Sequence, residues 1–196
     1  MRLEDVLVPI AAICLLGSSA VSFTRSSGPT KADSLLWGAS NDGLQLSLSS
    51  PEPGESSLQL AFRNIGDRDV SVNLGSMLSN GKVQLPDNIT LNFTDAEGKT
   101  RRFQFADKKH SGVAGRVDDY VVPLRTGSLY TLKLRLDEFW CHETTEFGIS
   151  LLPGKNRLTA QFEGSGARHL NLDLPALKLM NFWLGKIQSN ILTLER

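Results

Sequence analysis

Cysteine is nearly missing from this 196-residue chain, which has only two. A small domain held together by disulfides needs more than one pair can supply, so that class is excluded. An excess of one charge is missing as well. The 21 Lys and Arg residues balance the 21 Asp and Glu residues. That leaves none of the basic surplus on which nucleic-acid binding draws, and no nucleic-acid partner is expected. There is no G-x-S-x-G nucleophile elbow and no G-x-G-x-x-G phosphate loop. Long apolar runs are confined to the N-terminus. What is present is an ordinary apolar share of 40%, enough to build a core and too much for a disordered chain. The length fits one domain with at most a small appendage.

The apolar run from Val6 to Gly17 has the length of a signal-peptide core. It falls short of the roughly 20 apolar residues of a transmembrane helix. Ser18 and Ala20 are small residues at the −3 and −1 positions of a cleavage site before Val21. Residues 1–20 are therefore read as an export signal. Arg2 is offset by Glu4 and Asp5, so the alternative is an uncleaved anchor reaching through Phe23. Only in that case would a membrane be a partner. Export implies a secreted, periplasmic or cell-surface protein. Cys14 leaves with the signal, and Cys141 is then the single remaining cysteine, expected to be buried. Residues 21–36, rich in Ser, Thr and Gly at their start, are read as a flexible linker. The working domain is 37–196.

From Leu44 onward the texture is that of short strands. Leu44-Gln45-Leu46-Ser47-Leu48 alternates at period two, as do Leu58 to Phe62 and Val70 to Leu74. Asn64-Ile65-Gly66-Asp67 supplies turn chemistry between the last two, which predicts a hairpin. Ile89 to Phe93 and Arg101 to Phe105 flank the turn Asp95 to Lys99. Tyr120 to Val122, Leu129 to Leu136, Leu158 to Phe162, Ile187 and Ile191 to Leu194 continue the pattern. Leu132, Leu134 and Leu136 are placed inward, with Lys133 and Arg135 outward. Asp173 to Leu184 is the best helical candidate, made ambiguous by Pro175. The fold class is thus all-β, with about eight strands in two packed antiparallel sheets and a closed barrel as the alternative. Gly75 to Pro86 and Asp107 to Asp119 read as the longest loops, where function concentrates.

Several segments resemble those of exported bacterial immunoglobulin-like domains. Asn64-Ile65-Gly66 is similar to their N-x-G turn. Leu124 to Tyr130 and Leu152-Pro153-Gly154-Lys155-Asn156-Arg157-Leu158 resemble their L-x-x-G and L-P-G-x-Y-x-L segments. Trp183 to Asn190 resembles the W-x-G-x-x-x-S-N edge before their last strand. Asn156 departs from the pattern, which prefers an aromatic there. The resemblance implies an Ig-like sandwich that acts by binding, with no catalytic residues. The strand order also resembles a small bacterial proteinase-inhibitor domain.

Candidate chemistry is sparse. His110, His142 and His169 lie in separate segments. Cys141 and His142 are neighbours, and neighbours on a strand point to opposite faces, so no metal site and no cofactor are expected. Asp118-Asp119 is the one Asp-Asp pair, and a solvated turn is its simplest reading. Asn88-Ile89-Thr90 and Asn92-Phe93-Thr94 match glycosylation sequons but are read as strand patterning. His110, Arg116, Asp118 and Asp119 form the candidate binding loop. Trp37, Trp140 and Trp183 are candidate exposed aromatics that could stack on sugar rings, against the commoner reading of core packing.

The functional expectation is a non-catalytic, exported module of the cell envelope. It would bind an unidentified protein or glycan through surface loops or an edge strand. One alternative is an inhibitor-like sandwich that presents Asp107 to Asp119 to a protease. Others are a carbohydrate-binding module, or a hydrolase in which His110, His142 and Asp118 or Asp119 converge.

Overall fold

The computed structural model describes residues 35–51, 56–106, 115–169 and 180–196. The expected signal, most of the linker, the core of the 107–119 loop with His110, and residues 173–179 of the helical candidate lie outside the described residues. The rest is an all-β, sandwich-like fold of antiparallel sheets. Eight strands span six residues or more. They are β1 (Leu44–Ser49), β2 (Ser57–Asn64), β3 (Val70–Leu78), β5 (Ile89–Thr94), β6 (Thr100–Phe105), β7 (Val117–Leu124), β8 (Leu129–Arg135) and β11 (Lys155–Gly164). Five are shorter: β4 (Val83–Leu85), β9 (Phe139–Cys141), β10 (Glu146–Phe147), β12 (Gly185–Gln188) and β13 (Leu192–Glu195).

These strands make three sheets. One runs β1-β2-β8, another β4-β3-β7. The largest runs β10-β9-β6-β5-β11-β12, with β13 also on β11. All three share one core, from Leu44, Leu60 and Phe62 through Val72 and Leu74 to Leu91, Phe93 and Phe162. Phe62 of the first sheet meets Phe162 of the largest edge to face, with ring centroids 5.1 Å apart, a favoured aromatic geometry. In β8 and the short 3-10 turn after it, Leu134 and Leu136 are buried, Leu132 is half-buried, and Lys133 and Arg135 are exposed. That is the expected alternation.

The expected hairpin of β2 and β3 does not form. β2 pairs with β1 and β8, whereas β3 pairs with β4 and β7. The chain crosses between sheets at Asn64, which is 1% exposed. Its Oδ1 accepts the Gly66 N–H at 2.9 Å, and its Nδ2 donates to the carbonyls of Arg68 (2.8 Å) and Leu124 (3.0 Å). Its backbone N–H donates to Ser128 O, and its carbonyl accepts from Gly127 N–H. One residue therefore buckles the β2–β3 corner to the β7–β8 corner. The Tyr120 and Tyr130 hydroxyls, 2.6 Å apart, join the same two strands deeper in. Burial, and then the bond to Tyr130, push the Tyr120 phenol well above its usual range.

Two further expectations are corrected. Gly75 to Pro86 is not a loop, because β3 runs on to Leu78 and turns back as β4. A bulge at Gly75 lets it do so. The ladder to β7 shifts register between Asn73 and Ser76, Gly75 takes φ +148°, and its N–H bonds Asn73 Oδ1 at 3.1 Å. Only glycine takes that conformation readily. Residues 180–184 are not helical either. Asn181 O and the Trp183 N–H bond the backbone of Ser71, and Phe182 forms a parallel bridge with it.

The hairpin of β5 and β6 forms as expected, closed by Asp95. Its Oδ1 accepts the Glu97 and Lys99 N–H groups at 3.1 and 2.8 Å, and its Oδ2 meets Arg101 at 2.7 Å. Desolvation pushes this carboxyl up, but the Lys99 N–H and the Arg101 guanidinium outweigh it and hold it below 3.8. A carboxyl depressed in the folded state stabilises above its unfolded value, and the gain is lost as pH falls through the folded value. Asp95→Asn keeps an oxygen for the backbone donors and loses the charge. Its melting temperature should lie below that of the unmodified protein at pH 7. The gap should begin to narrow only below about pH 4 and close as the pH falls through the folded value. A gap that stays constant across the acid titration would contradict the assignment.

Candidate functional site

The largest sheet has one buried face and one open face. Alternation sends Leu91 and Phe93 of β5, Phe103 of β6 and Leu158, Ala160 and Phe162 of β11 into the core. It turns Thr90, Asn92 and Thr94, then Arg102 and Gln104, then Arg157, Thr159 and Gln161 the other way. The register sets these outward residues in rows. Phe147, Trp140, Gln104, Thr90, Gln161 and Gln188 stand opposite one another in succession across six strands. At about 4.8 Å per strand the row is on the order of 24 Å long. Beside it runs Arg102, Asn92 and Thr159, and then Thr100, Thr94, Arg157 and Thr193.

Aromatics close one end of the first row. The half-buried Trp140 ring lies 6.4 Å from Phe147, which is 46% exposed, and 5.4 Å from His142. Over Thr90, Gln104, Gln161 and Arg102 opens a polar groove of about 300 Å³, bounded by Asp87, Asn88, Glu163 and Arg168. Most of its charges are matched. Glu163 meets Lys186 at 3.1 Å and Arg168 meets Asp87 at 3.7 Å. Arg168 also bonds Asn88 Oδ1. Burial pushes the Asp87 carboxyl up, against the pull of Ser76, Arg168 and His169. Arg102 and Arg157 are exposed and make no hydrogen bond or ion pair among the described residues.

At the rim, Ser76 Oγ lies 3.4 Å from His169 Nε2, and Asp87 Oδ2 accepts from the same hydroxyl at 3.2 Å. The carboxylate thus contacts the serine and not the imidazole. That is not the order in which a base activates a serine and a third group orients the base.

The structure scatters the residues singled out from sequence. Of the expected loop, Arg116 and Asp118 form a surface pair at 2.6 Å. Asp118 and Asp119 belong to β7, not to a solvated turn. Asp119 is 2% exposed, because it accepts the Arg168 and His169 N–H groups and Asn73 Nδ2, each at 3.0 Å. It anchors the 165–169 segment from within. Asp118 and Asp119 lie in the β4-β3-β7 sheet and His142 follows β9 of the largest one, while His110, the other residue of the expected hydrolase site, lies outside the described residues. Cys141 is buried at the end of β9, and His142 is exposed in the turn that follows it.

The tryptophans divide. Trp183 is not exposed. At 2% exposure it stacks on Phe162, with centroids 5.7 Å apart. Trp37 is half-buried under the Arg63 guanidinium, 4.4 Å from its ring. Trp140 alone stands on the open face. Asn88 of the first sequon is buried and donates to Asn73 O, while Asn92 of the second lies mid-face. The polar rows themselves were missed from sequence. Their signal was available: amide, hydroxyl and guanidinium groups recur at the outward positions of β5, β6 and β11. No family model matches the chain, and no curated protein matches it.

Proposed function

We propose that this chain is a non-catalytic, exported binding module of the cell envelope. In this reading it is an Ig-like sandwich that recognises its ligand on the open face of the largest sheet. The six-strand row from Phe147 to Gln188 carries the reading. A sheet face turned to solvent needs only scattered polar residues. This one gathers an aromatic pair, three glutamines in one register around the buried Thr90 and a groove beside them, the mixture found in ligand sites. The corners that carry β2 to β3 and β7 to β8 between sheets favour the Ig-like sandwich. The order of contacts among Ser76, Asp87 and His169 favours binding over catalysis. The open face takes the place given from sequence to loops, since Asp119 is tied inward.

Sedimentation of the full chain with bacterial cell-envelope fractions tests this. Trp140→Ala and Gln161→Ala should each weaken binding about tenfold or more, as expected of residues central to an interface. Both should leave the melting temperature nearly unchanged. Binding that ignores both substitutions would overturn the assignment.

A further inference from the structure

The geometry points to an acidic oligosaccharide, an extended chain of pyranose units bearing carboxylates, as the ligand of the open face; this rests on the binding-face reading above. Three features converge on that chemistry.

The first is the platform. Trp140 and Phe147 put apolar ring surface at the end of a polar row. The axial C–H groups of a pyranose form an apolar patch between polar edges, which suits a ring followed by amides.

The second is spacing. The row advances one strand at a time, about 4.8 Å per step, close to the rise of one extended pyranose unit. Gln104 and Gln161 each offer a donor and an acceptor, and Gln188, with one N–H spent on Thr159 Oγ1 at 3.1 Å, keeps its acceptor and a second N–H, which matches hydroxyls that both donate and accept. A sugar chain lying across the strands would meet a new side chain with each unit.

The third is charge. Glu163 and Asp87 are met by Lys186 and Arg168, so among the described residues the uncompensated charge of the face is that of Arg102 and Arg157. Arg102 stands opposite Asn92 and Arg157 opposite Thr94. That places them two strands and two residues apart, about 12 Å between Cα atoms and close to two sugar units. A guanidinium fork fits a carboxylate in bidentate fashion.

A single-stranded nucleic acid would also use aromatic and arginine contacts. It calls for a groove that tracks every phosphate with positive charge. Two uncompensated cations among the described residues of the face, on a chain of balanced charge, do not provide that.

The test is isothermal titration of the full chain with oligogalacturonate, oligomannuronate and hyaluronan hexamers, a neutral cello-oligosaccharide and a single-stranded oligouridylate. At least one uronate should bind about tenfold or more tightly than the neutral chain, and its binding should weaken as salt rises. Arg102→Gln and Arg157→Gln should each reduce that preference several-fold and flatten the salt dependence. Trp140→Ala should weaken acidic and neutral chains alike. Tighter binding of oligouridylate than of every uronate would overturn the inference in favour of a nucleic acid. If no uronate binds or competes, yet envelope sedimentation still depends on Trp140, the sugar class falls and the binding face stands. If nothing depends on Trp140, both fall.

Discussion

Trp183→Ala should lower the free energy of unfolding by about 3–5 kcal/mol, the range for truncating a buried large aromatic. The indole is 2% exposed and stacked on Phe162, which itself meets Phe62 edge-on. Removing it opens a void where the two sheets join. Two glycines hold the slot open. Gly164 and Gly185 are register partners of β11 and β12. A Cβ on Gly164 would come within 2.5 Å of the indole Cε3, and one on Gly185 within 3.1 Å of Cη2. With glycine on both sides, neither β11 nor β12 has a side chain at this register pair to fill the space. Removal of the indole also leaves Asp42 O without its donor, now 3.2 Å away. Trp183→Phe should cost much less, because it keeps most of the stack. Urea unfolding of both variants measures the difference. A loss below about 1 kcal/mol in the alanine variant would contradict the buried placement.

Asp119→Ala should be nearly as damaging, by about 3 kcal/mol or more. Three donors converge on this carboxylate. Each buried donor left unmade costs about 1–3 kcal/mol, moderated here by water reaching the half-buried 165–169 segment. Asn73→Ala should also destabilise, since Asn73 donates to both Asp119 and Gly166 O and accepts from the Gly75 N–H. Because the two residues share a network, the double variant should lose less than the sum of the single ones. Additive losses would place them in independent roles. Asp119→Asn is not a neutral swap, since its amide group would turn donors toward donors.

The strands were legible from sequence because burial on one face imposes period two, and seven of the eight long strands contain an alternating run or part of one, β7 being the exception. Their partners were not legible. Leu58 to Phe62 and Val70 to Leu74 look like the arms of a hairpin because Asn64 and Gly66 make a turn. Nothing local records that the Asn64 amide reaches Leu124 on another strand. Trp183 illustrates the same limit. It is buried while its neighbour Leu184 is 65% exposed, and the glycines that admit it are remote from each other until β11 and β12 pair. Asn156, where the resemblance prefers an aromatic, is fully buried and bonds Leu152 through both its backbone groups. The polar rows arise in the same way, since cross-strand register assembles residues up to about a hundred positions apart.

The Asn64 buckle also sets the order of events during folding. β2 cannot acquire its second neighbour until β8 has been made, and the corner at Asn64 lacks its Leu124 acceptor until β7 has emerged. Pairings this distant in sequence make for slow folding, on the scale of milliseconds to seconds. The N-terminal strands therefore keep open edges until the middle of the chain has joined them. A chain lengthened or nicked between β2 and β7 should pay in folding rate before it pays in final stability.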